Sequence, residues 1–189
     1  ERLKKQEGIP TVPKERRIRP IHIWQSAAAI LFLLLASSVY LSTVGTKAET
    51  DLLQQYIPIA EMRSLTLPDG TKVQLNSKST LLYPQEFTGD SRSVFLLGEA
   101  NFKVKPDKKR PFIVKSNDLQ ITALGTEFNV SAYPESQEIA TTLISGSIRV
   151  DYNNLTTSVI LHPNEQFAYN RNNKKYDLSN PDMDDVTAW

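Results

Sequence analysis

The chain has 189 residues, with two histidines, His22 and His162, and no cysteine. Disulfides, thiolate chemistry and cysteine metal sites are therefore excluded. His162 stands beside Pro163 in a turn-forming stretch, and one isolated imidazole completes neither a metal set nor a catalytic triad. Glu99 and Glu127 each follow closely on a glycine. A carboxylate pair can hydrolyse glycosides, but only at a defined separation across a cleft. Two carboxylates on similar strands meet that condition only by accident, so both read as surface residues. No G-x-S-x-G, H-E-x-x-H or Walker A pattern occurs. The sequence thus offers no catalytic residue, no cofactor-binding residue and no metal ligand, and a non-enzyme is expected. The side chains best placed to bind something are basic. Lys108, Lys109 and Arg110, between Asp107 and Pro111, form either a solubilising turn or a contact for an acidic patch on a partner.

The elements that must position this loop begin with a membrane. Residues 1–20 hold seven Lys and Arg against three Glu, whereas the whole chain is +1. A nucleic-acid binder would carry such an excess on a folded domain. Here it sits just before Ile23–Thr46, a stretch without one charged residue. The 21 residues from Trp24 to Val44 suffice for a helix to cross the hydrocarbon core, with Trp24 and Tyr40 suited to its two interfaces. The run is too long for the apolar part of a signal peptide and too uniformly apolar for a buried soluble helix. Basic residues on its N-terminal side place the N-terminus in the cytoplasm. Pro10 and Pro13 keep the preceding stub from forming a helix, and it reads as a tether near anionic headgroups.

Beyond the membrane, Glu49–Tyr56 reads as a short amphipathic helix or a linker, which Pro58 ends. The pattern then changes to period two. Ser64–Leu67 meets Pro68-Asp69-Gly70 and continues as Lys72–Leu75, a hairpin signal with the turn residues that a tight reversal requires. The same design recurs around Gly98, Gly125 and Gly146, and once more around Pro163-Asn164-Glu165. Gly70, Gly98, Gly125 and Gly146 are read as structural turns. Strand–turn–strand units repeated in this way predict an all-β domain, a β-roll or solenoid-like sandwich in which each unit is buried by its neighbour.

The motifs themselves resemble the FecR domain. Leu67-Pro68-Asp69-Gly70-Thr71-Lys72-Val73-Gln74-Leu75-Asn76 is similar to that family's opening segment. Arg92 and Val94, then Leu97–Val104, resemble its "RxVxLxGEAxFxV" strand, followed by Pro111–Val114 and Leu124–Val130. Thr142–Gly146 and Leu161–Gln166 resemble its closing segments, with Asn164 where the family usually has glycine. The resemblance covers Met62 to Tyr169 and implies a single-pass anti-sigma regulator of the bacterial inner membrane. Its implied partners are an extracytoplasmic-function sigma factor, held by a cytoplasmic region, and the signalling domain of a TonB-dependent outer-membrane transducer. The expected organisation is a cytoplasmic stub (1–22), a transmembrane helix (23–46), a periplasmic linker (47–61), a FecR-like β domain (62–170) and a linker to a further domain (171–189). The alternative is a membrane-anchored periplasmic carbohydrate- or protein-binding β module. Phe102, Phe112 and Phe128 fall on the apolar phase of their strands, which favours core over sugar platforms.

Overall fold

The computed structural model describes residues 20–45, 52–152 and 154–187. It divides into two units, residues 1–49 and 50–189. Of the first unit, α1 (Pro20–Gly45) is a helix of 26 residues, about 39 Å long at 1.5 Å per residue. The Ser37 hydroxyl donates to the Leu34 carbonyl at 3.0 Å, so this polar group is satisfied within the helix. Side chains are described for Gln25 and Ala28–Tyr40, where the large apolar groups from Ile30 to Leu35 are exposed. Among the described residues no helix is long and apolar enough to cross a membrane. The stub at 1–19 and residues 46–51 lie outside the described residues.

The second unit is built from strands: β1 (Leu52–Tyr56), β2 (Arg63–Thr66), β3 (Lys72–Leu75), β4 (Thr80–Pro84), β5 (Arg92–Lys103), β6 (Phe112–Lys115), β7 (Gln120–Ala123), β8 (Glu127–Ala132), β9 (Glu138–Ser145), β10 (Ile148–Tyr152), β11 (Thr157–Leu161), β12 (Gln166–Asn170) and β13 (Tyr176–Ser179). They form one continuous curled sheet. Its first layer runs β1-β4-β5-β6-β7-β10-β11. Its second runs β2-β3-β5-β8-β9-β12-β13. The long strand β5 belongs to both. Along it Val94, Leu96, Ala100 and Phe102 are buried while Phe95, Leu97 and Lys103 are exposed, so its alternation alone assigns one face to the interior.

The inner faces of both layers share a single hydrophobic cluster. Phe102 of the second layer stacks on Phe128 at 5.4 Å and meets Phe112 of the first at 6.0 Å. Farther along, Tyr152 of β10 lies 5.3 Å from Phe167 of β12. Such ring pairs each add about 0.5–1.5 kcal/mol beyond area burial. Phe102, Phe112 and Phe128 are thus core, as their phase predicts.

The repeated units are mostly not hairpins. Gly70 does turn the β2–β3 hairpin, with its N–H donating to the Leu67 carbonyl at 2.8 Å. Gly125, Gly146 and Asn164 instead close arches, in which β7 is followed by β8, β9 by β10 and β11 by β12 across the two layers. Gly98 is no turn between strands; it lies inside β5 where that strand leaves one layer for the other. The ladders are antiparallel except β5–β6, so neighbouring units alternate in direction instead of coiling as a solenoid. Asn164 has φ 68° and Ala60 has φ 61°, so both non-glycine residues take the left-handed conformation.

Two further segments differ from expectation. Residues 52–56 form neither helix nor linker: they pair with β4 as β1, and Ile57 behind them is fully buried. Residues 176–179 extend the second layer as β13, and the short helix α2 (Met183–Thr187) follows.

Candidate functional site

The most deeply buried charged residue among the described residues of the β unit is Arg92, at the start of β5 on the inward phase with Val94 and Leu96. It is 1% exposed. Its Nη1 donates to Asp69 Oδ2 at 2.7 Å and to the Lys105 carbonyl at 2.9 Å, and its Nε donates to the Arg110 carbonyl at 2.9 Å. The guanidinium lies 5.6 Å from the centroid of the Phe112 ring, while Nη2 has no protein partner. Asp69 in turn accepts from the backbone N–H and the hydroxyl of Thr71, at 3.0 and 2.7 Å. The Lys105 N–H donates to that same hydroxyl at 3.2 Å. One buried ion pair therefore pins the Leu67–Thr71 turn, the start of β5 and both ends of the basic loop together.

On this foundation Lys108, Lys109 and Arg110 follow β5. Asp107 organises them, its Oδ1 accepting the N–H groups of Lys109 and Arg110 at 3.0 and 3.2 Å. These bonds, with the Arg110 guanidinium 3.1 Å from Oδ2, hold the Asp107 carboxyl below the usual carboxylate range. Arg110 also donates to the Phe87 carbonyl at 3.3 Å, so it serves the loop itself. Lys108 and Lys109 are exposed. All three basic candidates are thus exposed, and Arg110 in addition holds the loop through Asp107 and Phe87.

The outward face of the second layer carries an unbroken polar row. In register across its seven strands stand Ser64, Gln74, Asn101, Asn129, Thr142, Gln166 and Ser179. Beside it, the Glu99 carboxylate accepts from the amides of Asn76 at 2.9 Å and Asn129 at 3.2 Å, and Thr142 donates to Gln166 at 2.9 Å. Glu127 is held by Lys103 at 2.9 Å. Glu99 and Glu127 are therefore separate, each with its own partners. His162 sits at the β11–β12 turn, where its backbone N–H donates to the Glu165 carboxylate at 2.8 Å; the side chain of His22 lies outside the described residues. Among the described residues no three His, Asp or Glu side chains are grouped as a metal site.

Arg92 and the polar row were not singled out by sequence reasoning for what they do. For Arg92 a signal existed, because R-x-V-x-L puts a charge on the apolar phase of a strand. For the row there was none, since its members are neighbours only through the register.

The β unit is a curled two-layer sheet with a buried arginine at the start of β5. Residues 57–149 match the family model described as FecR protein, so the β unit is similar to that family over this stretch. The matched stretch begins at the buried Ile57 and ends before the Leu161–Gln166 segment included in the motif resemblance. Two crystal structures of a "putative anti-sigma factor" from Parabacteroides distasonis ATCC 8503 are 39% identical to the chain, with TM-scores of 0.71 and 0.70. They cover 74% and 72% of this chain, which spans 64% of theirs. No curated protein matches.

Proposed function

We propose that the chain is the anchor and periplasmic part of an anti-sigma regulator. On this reading residues 23–46 span the bacterial inner membrane, the N-terminus is cytoplasmic and the β unit is periplasmic. The observation that carries the proposal is the 39% identity, over 74% of the chain, to the crystal structure described as a "putative anti-sigma factor". The uncharged run before the β unit, with its basic flank, supplies the membrane part.

The chemistry required of such a protein is recognition and relay. A partner that binds one state of the β unit more tightly than another shifts the balance between them by that difference alone, and the shift must bias a sigma-factor contact across the membrane. The sigma factor is of the extracytoplasmic-function class, and the periplasmic partner is the signalling domain of a TonB-dependent transducer. Nothing in this role needs catalysis. Support for the relay comes from the lock itself, which ties the exposed Lys108-Lys109 loop rigidly to β5, the strand common to both layers.

The test is a reporter driven by the cognate extracytoplasmic-function sigma factor, in cells with and without the regulator. Removing the gene should change reporter output, and deleting residues 57–170 should uncouple that output from the inducing signal. A reporter indifferent to the regulator overturns this reading.

A further inference from the structure

We infer that the outward face of the first layer, over β1, β4, β5 and β6, rests on the surface of a lipid bilayer. This deepens the relay reading and rests on its membrane span, since the bilayer is the one that residues 23–46 cross. The face follows from the register. Tyr56 of β1 stands opposite Thr80 of β4, which stands opposite Leu97 of β5. In the next row Gln54, Leu82, Phe95 and Lys115 stand side by side across the four strands. Cross-strand neighbours share a face, and Phe95 and Leu97 are on the outward phase of β5, so both rows point outward. Leu52 and Ile113 extend the same face on β1 and β6. Leu52, Tyr56, Phe95 and Leu97 are between 39% and 54% exposed, although each is large and apolar. A contiguous apolar patch left on the outer side of a sheet marks a contact.

Three observations identify that contact as lipid. First, the outward positions of these four strands include no Asp or Glu. Their one charge is Lys115, whose Nζ lies 5.5 Å from the centroid of the Phe95 ring. Across the rest of the layer β7 contributes Gln120 and Thr122, and the first carboxylate is Asp151 of β10, paired with Arg149 at 3.1 Å. The outward face of the second layer is the opposite, with its amide and hydroxyl row beside Glu99 and Glu127. A bilayer surface is apolar beneath anionic headgroups, and an apolar face edged by a lysine matches both. Second, only residues 47–51 separate Thr46, at the end of the uncharged run, from Leu52. Fully extended, that link reaches about 20 Å, so the first strand of the patch is held beside the membrane. Third, the apolar exposure is concentrated just there. Leu52, Leu53, Tyr56, Ile59 and Met62 are all exposed within the first eleven residues from β1 onward. Tyr56 also has the ring and hydroxyl that suit the headgroup level. A protein partner gives no reason for apolar exposure to follow directly on the span, whereas a bilayer does.

The chain has no cysteine, so single cysteines can carry a bimane label without interference. The full chain is placed as a single copy in nanodiscs of phosphatidylethanolamine and phosphatidylglycerol containing a lipid with a nitroxide on its headgroup, which quenches labels at the surface. Labels are attached in Tyr56→Cys and Leu97→Cys, and in Ser131→Cys and Ser179→Cys on the outward face of the second layer. Quenching at Tyr56 and Leu97 should be at least about threefold stronger than at Ser131 and Ser179, because interfacial side chains sit about 5–10 Å into the headgroup boundary. Leu52→Glu with Phe95→Glu should lower quenching at Tyr56 to the Ser131 level. Both side chains point away from the core, so the melting transition of the β unit should not move. Ser131→Glu with Ser179→Glu should leave quenching at Tyr56 unchanged. The inference is overturned if the two faces are quenched alike, if neither is quenched, or if the Leu52 and Phe95 exchange has no effect. Label-to-label contact at Leu97 in discs holding two copies, without lipid quenching in single-copy discs, overturns it too, by making a second copy the occupant. A label in Ser38→Cys with an acyl-chain nitroxide keeps the two readings apart. Quenching at Ser38 without quenching at Leu97 removes this contact alone, whereas an unquenched Ser38 label removes the span and the contact with it.

Discussion

Phe102 and Lys103 are consecutive on β5 and lie on opposite sides of the sheet, so they should respond oppositely to truncation. Phe102 is fully buried between Phe112 and Phe128, and Phe102→Ala should cost about 3–5 kcal/mol in chemical unfolding. Lys103 makes one exposed ion pair, to Glu127, and Lys103→Ala should stay within about 1 kcal/mol of the wild type. Equal losses would mean that both faces of β5 are buried. Arg92 is the sharper case. Arg92→Ala strands Asp69 in the interior, an uncompensated charge worth about 3–5 kcal/mol. The double variant Arg92→Met, Asp69→Asn should recover part of that loss, because no charge is left buried. At the surface, Lys108→Glu and Lys109→Glu should leave the melting temperature unchanged. If the loop touches its partner, they should also weaken binding of a transducer signalling domain more at low salt than at moderate salt. The phenylalanines were legible because strand alternation is local. The Arg92 lock was not, because Asp69 lies in another turn and only the folded ladder brings the two together.

Among the elements, the arches are where local sequence reasoning loses its grip. Glycine with short polar neighbours marks a reversal, but a hairpin and an arch share that signature, and only the pairing partners of the flanking strands separate them. Gly70 joins strands that pair with each other, whereas the strands flanking Gly125 pair elsewhere, β7 with β6 and β10, and β8 with β5 and β9. The consequence is measurable. Gly125 has φ 144°, and a Cβ there would sit 2.8 Å from the Cα of Pro106. Backbone cannot yield as a side-chain tip can, so Gly125→Ala should destabilise the β unit by about 1–3 kcal/mol. At Gly70 the added atom would meet only the Lys105 side chain, at 3.1 Å, and φ is 88°. Gly70→Asn should therefore cost less, since asparagine tolerates the left-handed region. Similar losses in urea unfolding at both sites would contradict this account. The edge strand β1 was missed for a related reason. Leu-Leu-Gln-Gln-Tyr carries no strand periodicity of its own, and its conformation is set by β4 alongside it.

At the scale of the molecule, the contacts fall into two groups that part near residue 50, which makes the β unit separable. A piece spanning residues 50–187 should give a β-dominated far-UV spectrum and one cooperative melting transition, because both layers share a single core. A helical spectrum, or two transitions, would mean that the layers are not one body. Starting the piece at residue 57 removes β1, uncovers β4 as a new edge and should lower the midpoint without abolishing the fold, since the FecR-matching residues remain intact. The anchor is tested by position. Under the proposed topology a reporter active only in the periplasm should work when fused after Tyr169 and fail when fused after Arg19. The argument behind that expectation is the placement of charge. Seven basic residues precede Ile23, and only Lys47 lies close beyond Thr46. Basic residues flanking a span are retained on the cytoplasmic side. Reversing the imbalance, with Arg16, Arg17 and Arg19 changed to Gln and three Lys introduced after Thr46, should therefore reduce activity of the fusion after Tyr169. Activity unchanged by that exchange would show that something other than flanking charge orients the chain, and activity of the Arg19 fusion in the unaltered chain would place the N-terminus outside.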